Sequence, residues 1–204
     1  MSRRPAGAPE ADANAARGGE TDAAQDEETG GAPDERPRDS RRVFFALWPD
    51  DATRTRLARA TKEAVRRSGG RPIAKDRWHV TVAFLGGLTP AGLEIASGVP
   101  PIAVGPFALT LDVIGAFDST LWLGARSVPK PLMELESRLW HVLEANGFVH
   151  EPRIYRPHVT LARRARAVDV EVDPVEWPVA ELALVESLPA GRNVYYEVLQ
   201  TWSL

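Results

Sequence analysis

Two short stretches of the sequence repeat the same residue types around a histidine. Residues 77–86 read RWHVTVAFLG and residues 156–165 read RPHVTLARRA, so the two agree at five of their first seven positions. Each stretch places a histidine two residues before a threonine. Because the chain has only four histidines, finding two of them in one context indicates a shared task.

The residue types predict that both stretches are β-strands with one polar face. Side chains alternate between the two faces of a strand. We therefore expect His79, Thr81 and Ala83 on one face, with Val82 and Phe84 on the other. In the second copy, the residues predicted to share the polar face are His158, Thr160 and Ala162.

Two imidazoles that face each other suit a displacement at phosphorus. One takes a proton from the attacking water and the other gives a proton to the leaving oxygen, and the ordinary histidine pKa of about 6.5 allows both near neutral pH. The hydroxyls of Thr81 and Thr160 are neutral donors that can hold non-bridging phosphate oxygens. Arg163, near the second histidine in the sequence, could add positive charge. This chemistry needs no metal, no cofactor and no covalent intermediate.

Other catalytic classes lack their usual residues in this sequence. Cysteine is absent, which excludes disulfides, thiolate nucleophiles and sulfur-ligated zinc. Neither the Gly-x-Ser-x-Gly turn of serine hydrolases nor the Gly-x-x-x-x-Gly-Lys loop of nucleoside triphosphatases occurs. Two histidines and two threonines supply only two good metal ligands, so no metal site is predicted. We interpret His141 and His150 as structural residues.

Apolar periodicity and turn residues predict about seven strands and two or three helices. Strands are predicted over residues 41–49, 78–85, 107–117, 120–126, 155–162, 182–185 and 194–202. Helices are predicted over residues 52–68 and 89–97, and a third has its apolar stripe over residues 132–143. Asp50 or Asp51 is expected to begin the first helix and Gly69 to end it, whereas Pro131 and Gly147 bound the last one.

The order of these elements indicates two similar halves. The first half reads strand, helix, strand, and the second reads hairpin, helix, strand, with each helix before one of the matched His-x-Thr strands. We interpret this order as an α+β fold of two lobes that arose by duplication. If a pseudo-twofold axis relates the lobes, their polar faces meet across a cleft.

The first 40 residues differ in composition from the rest of the chain. They carry ten acidic residues, five arginines and no Val, Ile, Leu, Phe, Trp or Tyr. Such a segment cannot bury enough apolar surface to offset its ordering entropy, so we predict a disordered acidic tail over residues 1–40 and a folded domain over residues 41–204. The net charge of −3 leaves +2 on the folded domain. Since the sequence has no run of eighteen apolar residues and no signal peptide, a cytoplasmic protein without a membrane partner is predicted.

With both motifs in hand, the sequence resembles the 2H phosphoesterase superfamily, which is named for two His-x-Thr-x motifs. Within it, the sequence is similar to the RNA 2′,3′-cyclic phosphodiesterases, historically called 2′-5′ RNA ligases. The similarity covers residues 42–204. The segments that carry it are RVFFALWP, WHVTVAFLG, LWLGAR, YRPHVTLARR, LVESL and VYYEVLQTWSL.

The resemblance implies a fold, an activity and residue roles. The fold is bilobal α+β, with two antiparallel sheets around a central cleft and helices outside. The activity is hydrolysis of a terminal 2′,3′-cyclic phosphate to a 2′-phosphate. His79 would be the proton donor to the leaving 3′ oxygen, and His158 the proton acceptor that activates water. Thr81 and Thr160 would bind the phosphate. The sequence departs from the family in its acidic tail and in a short, turn-rich segment between the first motif and Phe107.

The expected partner is an RNA 3′ end that bears a 2′,3′-cyclic phosphate, bound by a monomer. A charge of only +2 on the folded domain favours recognition of a terminus over a duplex. Phe45 and Tyr155 are candidates for stacking on a base, although aromatic residues in strands are more often packed in a core. Two alternatives stay open: a phosphodiesterase for small cyclic nucleotides such as ADP-ribose cyclic phosphate, and a non-catalytic module that binds RNA ends.

Overall fold

The computed structural model describes residues 40–150, 154–191 and 193–204. The tail predicted over residues 1–40 lies outside these ranges, apart from Ser40. Within the described ranges the chain forms ten strands and three α-helices. In chain order they are β1 Arg41–Leu47, α1 Asp51–Ser68, β2 Arg71–Pro72, β3 Val80–Leu88, α2 Pro90–Ser97, β4 Phe107–Leu111, β5 Val113–Phe117, β6 Thr120–Gly124, α3 Lys130–Ala145, β7 His158–Arg163, β8 Val175–Val179, β9 Glu181–Ala190 and β10 Asn193–Ser203.

The strands form two four-stranded antiparallel sheets and one two-stranded sheet. The first sheet has the order β10-β9-β1-β3, the second has the order β2-β7-β6-β5, and β4 pairs with β8. The predicted α+β class with two antiparallel sheets is confirmed. Each four-stranded sheet contains one of the His-x-Thr strands, which are β3 and β7.

Local sequence chemistry explains where the helices begin and end. Asp50 caps α1, since its carboxylate accepts a hydrogen bond from the Thr53 amide at 2.7 Å, and Gly69 ends the helix with φ +66°. Thr89 caps α2 in the same way. The left-handed conformation at both Gly69 and Gly147 follows a helix end, as glycine favours.

One continuous hydrophobic core joins the two main sheets and the helices. Helix α1 packs against β7 and β8, α2 against β1 and β3, and α3 against β3. Fully buried leucines come from both long helices and both sheets: Leu47, Leu57, Leu121, Leu123, Leu132, Leu135, Leu139, Leu143 and Leu161. The core therefore fixes the position of β3 relative to β7. Among the described helices, none is long and apolar enough to cross a membrane.

The strand predicted over residues 107–117 is two strands in two different sheets. The chain breaks at Asp112, whose amide donates to the Gly124 carbonyl at 2.9 Å. Its carboxylate also accepts from the Arg126 amide at 2.9 Å. These bonds turn the chain out of the β4–β8 pair and into the hairpin of β5 and β6.

Two observed strands were absent from the sequence prediction. β2 has only two residues and pairs at the end of β7. β8 contains Pro178, which cannot donate to a ladder and therefore weakens a strand prediction. It pairs with β4 alone, so a proline is tolerated there.

Candidate active site

The first motif strand contains a β-bulge directly after its threonine. Thr81 and Ala83 pair with consecutive residues of β1, so Val82 has no partner of its own there. An extra residue shifts the alternation of side chains by one position. Val82 and Ala83 both lie in the main core, and Phe84 packs on the opposite face. The prediction that Ala83 shares the face of His79 is therefore wrong.

The second motif strand has the same bulge at the same position. Thr160 and Ala162 pair with consecutive residues of β6, so Leu161 is the extra residue. Ala162 is fully buried in the core, against the prediction from strict alternation. Alternation after the bulge places Arg163 on the face that carries His158 and Thr160. A shared register and a shared bulge are what a duplication predicts.

Both histidines are held in the same way by the main chain. Nδ1 of His79 lies 2.7 Å from the Arg77 carbonyl oxygen, and Nδ1 of His158 lies 2.8 Å from the Arg156 carbonyl oxygen. A carbonyl oxygen only accepts, so Nδ1 carries the hydrogen in each ring. This fixes each tautomer and makes Nε2 the nitrogen that can exchange a proton with a substrate.

His79 lies among three aromatic rings, two from the first sheet and one, Trp48, from the residue that follows β1. Its ring centroid is 4.8 Å from that of Phe44 and 5.2 Å from that of Tyr196, and it stacks on Trp48 at 5.6 Å with an interplanar angle of 14°. We call this surface the His79 face. Its members are Phe44, Trp48, His79, Thr81, Phe84 and Tyr196.

His158 lies beside two aromatic rings of the second sheet. Its centroid is 5.3 Å from that of Phe117 and 6.0 Å from that of Trp122. Together with Thr160 these residues form the surface that we call the His158 face. A pocket of about 190 Å³ adjoins it, and its lining includes Tyr155 and Arg156 as well as the two aromatic rings.

The Trp122 indole needs glycine at two neighbouring positions. A Cβ added at Gly115 would lie 2.1 Å from a ring carbon of Trp122, and one added at Gly124 would lie 2.8 Å from another. The ring thus lies flat over two positions without side chains. The indole N–H is buried and has no hydrogen-bond partner among the described residues, so it is a donor beside His158.

Substitution of Gly115 by alanine is expected to displace Trp122. The added methyl group overlaps the ring, and relief of such overlap typically costs about 1–3 kcal/mol of stability. We also expect a lower kcat/KM, because Trp122 borders His158. Thermal unfolding and steady-state rates measure the two effects. Gly92→Ala is the matched control, since a Cβ there meets Leu88 at an ordinary 3.4 Å; equal behaviour of the two variants would contradict the expectation.

Tyr155 joins the two motif strands. Its hydroxyl donates to the Thr81 carbonyl oxygen at 3.1 Å. β3 is the edge strand of its sheet, where carbonyl groups that face away from the ladder need other partners. Burial, reinforced by the Glu136 carboxyl, raises the pKa of the Tyr155 phenol, so it stays protonated and can donate. The segment leading into β7 is thereby held against β3, which also contacts β7 directly.

The remaining predicted residues lie elsewhere. Phe45 is fully buried in the main core, so its ring offers no surface to a base, and this corrects its assignment as a stacking residue. His141 is exposed on α3. His150 stacks on Trp140 at 4.2 Å. Neither histidine belongs to the His79 face or the His158 face.

Sequence reasoning missed the aromatic residues around the histidines. Phe44 in β1 and Trp48, which directly follows β1, are an even number of positions apart and alternate with the core residues Phe45 and Leu47, so the pattern was present in the sequence. The pairing of β1 with β3 decides which of the two alternating sets of side chains faces the site. That pairing cannot be read from the sequence alone. Phe117 and Trp122 were missed for the same reason.

The donor set of the two faces suits proton transfer and anion binding. It contains two imidazoles with fixed tautomers, two threonine hydroxyls and the Arg163 guanidinium. Across the described part of the chain, no three His, Asp or Glu side chains cluster closely enough to hold a metal ion.

Comparisons with known proteins agree with the two motifs. A family model described as the 2′-5′ RNA ligase superfamily matches residues 49–189. The RNA 2′,3′-cyclic phosphodiesterase of Escherichia coli is 31% identical over 171 residues, which cover 80% of this chain and 96% of that protein. The protein of the same name from Thermus thermophilus is 28% identical over 181 residues, which cover 80% and 90%.

Solved structures give the same result. The crystal structure of E. coli LigT complexed with 3′-AMP superposes with a TM-score of 0.71 and 29% identity, covering 81% of this chain and 98% of that chain. The match spans both motif strands and extends well beyond them. The resemblance that the His-x-Thr motifs carry is therefore confirmed, and the chain belongs to the 2′-5′ RNA ligase superfamily.

Proposed function

We propose that the protein hydrolyses the terminal 2′,3′-cyclic phosphate of RNA to a 2′-phosphate. The observation that carries this proposal is the pair of identically bulged His-x-Thr strands, each with its histidine fixed through Nδ1. The names of the relatives from E. coli and T. thermophilus support the substrate class.

The two histidines act as base and acid in one displacement. Nε2 of His158 takes a proton from water, and the water oxygen bonds to phosphorus. The bond from phosphorus to the 3′ oxygen breaks, and that oxygen takes a proton from Nε2 of His79. The products are a 2′-phosphate and a 3′-hydroxyl group, and solvent restores the two protonation states.

The aromatic rings support the role of His79 as proton donor. The acid must be an imidazolium before the reaction, and a cation is attracted to the electron-rich face of an aromatic ring. The nearly parallel Trp48 ring provides such a face. The rings of Phe117 and Trp122 lie near His158, the base, at the larger interplanar angles of 79° and 55°.

The hydroxyls and Arg163 bind the reacting phosphate. Thr81 and Thr160 each lie two residues after a histidine on the same face, so one hydroxyl accompanies each imidazole. We assign them to the non-bridging oxygens, where charge increases in the transition state. The guanidinium of Arg163 adds positive charge. Tyr155 stays a candidate for base stacking, since it lines the pocket beside His158.

Product analysis on three substrates tests the proposal. A short RNA with a 2′,3′-cyclic phosphate end, a mononucleoside cyclic phosphate and an ADP-ribose cyclic phosphate are incubated with the protein and excess chelator. We expect the RNA to yield the 2′-phosphate, since no metal takes part. RNA that is bound but not turned over, turnover of the ADP-ribose compound alone, or loss of activity with chelator would overturn the proposal. The cytoplasmic location and the monomeric state stay predictions.

A further inference from the structure

Arg77 makes hydrogen bonds to two parts of the first sheet. Its main-chain carbonyl oxygen accepts from Nδ1 of His79 at 2.7 Å. Its guanidinium Nη1 donates to the main-chain carbonyl oxygen of Val194 in β10 at 3.1 Å, across a sequence separation of 117 positions. The same residue therefore contacts both the first motif histidine and a strand that lies far from it in the sheet order.

The sheet must curve for these contacts to form. In the ladder, Tyr196 lies level with Arg42, whereas His79 directly precedes the partner of Leu47. In a flat sheet, the five positions from Arg42 to Leu47 would span about 16 Å, and β10 would lie three strand spacings of about 4.8 Å from β3. The ring centroids of Tyr196 and His79 are nevertheless 5.2 Å apart. The hairpin of β9 and β10 therefore bends over the His79 face.

This bend places the Tyr196 ring across the other rings of the His79 face. It makes interplanar angles of 81° with Phe44, 87° with His79 and 84° with Trp48. The imidazole itself is nearly parallel to Trp48 and tilted by 31° from Phe44. A rotation of the imidazole plane would bring it into contact with these close-packed rings. Tyr196 therefore helps to hold the orientation of the imidazole.

The second motif does not depend on such a long-range contact. Trp122 pairs directly with Thr160 on the strand that carries His158, and Phe117 belongs to the next strand of that sheet. The ladder alone brings these two rings to His158. Tyr196 comes from three strands away, so its place beside His79 depends on what holds the bent hairpin. The guanidinium of Arg77 supplies such a contact.

We propose that Arg77 is a positioning residue for proton donation by His79. Its guanidinium holds the β9–β10 hairpin over the His79 face, and the hairpin holds Tyr196 against the imidazole. Its carbonyl oxygen fixes the tautomer at the same ring. This inference rests on the proposed function and on His79 as the donor to the 3′ oxygen.

Substitution of Arg77 tests the inference through kcat. Arg77→Met keeps most of the side-chain length and removes the guanidinium. Its kcat on a short RNA with a cyclic phosphate end should fall roughly tenfold, the scale of one charge-assisted hydrogen bond. KM should stay within about twofold, because Arg77 acts through His79. Arg77→Lys keeps a charged donor and should recover most of the loss. Arg59→Met, the same change at an exposed arginine of α1, should keep the wild-type rate.

A sulfur leaving group distinguishes a role in proton donation from general damage to the fold. If sulfur replaces the 3′ oxygen of the cyclic phosphate, the leaving thiolate needs no proton. The deficit of Arg77→Met should then shrink to within about threefold, and Tyr196→Leu should show the same pattern. Adding Arg77→Met to His79→Ala should cost nothing further on either substrate.

Amide hydrogen exchange reports the position of the hairpin without turnover. In Arg77→Met, the amides of residues 194–198 should exchange about tenfold faster than in the wild type, while those of β1 keep their rates. Unchanged exchange in β10, a loss confined to KM, or equal deficits on the oxygen and sulfur substrates would overturn the inference and leave the proposed function intact. If the wild type turns over no cyclic phosphate, the proposed function fails, and the inference fails with it.

Discussion

Alanine at His158 or at His79 is expected to lower kcat/KM for RNA 2′,3′-cyclic phosphate by roughly 10²–10⁴-fold. That is the range for loss of a general base or a general acid. The double variant should be little worse than either single one, since residues that act in one step are strongly non-additive. Steady-state rates and product analysis measure the loss.

The pH dependence separates the two roles. Wild-type kcat/KM should follow a bell-shaped curve, because the base must be neutral and the acid protonated. The acidic limb should disappear in His158→Ala and the basic limb in His79→Ala. His141→Ala, which removes an exposed histidine of α3, is the control and should keep the wild-type rate and curve. A His79 or His158 variant that retains its rate within about threefold would contradict the assignment.

Valine at Thr81 or at Thr160 is expected to lower kcat by roughly 10²–10³-fold, the effect of removing one oxyanion donor. Valine keeps the branched shape and removes the hydroxyl, so packing in β3 and β7 is nearly preserved. The loss should appear in kcat more than in KM, since the bond strengthens as charge develops on the non-bridging oxygens.

Serine at the same positions is the matched control for the threonine variants. It keeps the hydroxyl and loses only a methyl group, so each serine variant should recover most of the activity. If serine is as damaging as valine while thermal stability is unchanged, the hydroxyls do not bind the phosphate. The threonines would then serve only the packing of the two faces.

Local chemistry allowed the helices and the motif strands to be predicted from the sequence. Asp50 at the start of α1 and Gly69 at its end act through nearest neighbours, so their effect can be read without a partner strand. Likewise, the two His-x-Thr segments carry enough repeated detail to identify both histidines and both threonines. The signals within these segments are local.

Non-local pairing explains what the sequence did not reveal. One extra residue at Val82 or Leu161 reverses the side chains that directly follow it, which are Ala83 and Phe84 in β3 and Ala162 and Arg163 in β7. No residue type predicts a bulge there. Asp112 similarly separates two strands through bonds to Gly124, the last residue of β6, and to Arg126 just after it. Phe44 and Phe45 are adjacent aromatic residues, and only the pairing of β1 with β3 decides that Phe44 lies beside His79 and Phe45 in the core.

One measurement tests most directly whether His79 is the proton donor and His158 the proton acceptor. In a cyclic phosphate whose 3′ oxygen is replaced by sulfur, the leaving group is a thiolate, which needs no proton because a thiol is far more acidic than an alcohol. With this substrate, we expect the deficit of His79→Ala to shrink from at least ~10²-fold to below about tenfold, while that of His158→Ala stays as large as before. Equal deficits for the two variants on the sulfur substrate would contradict the account.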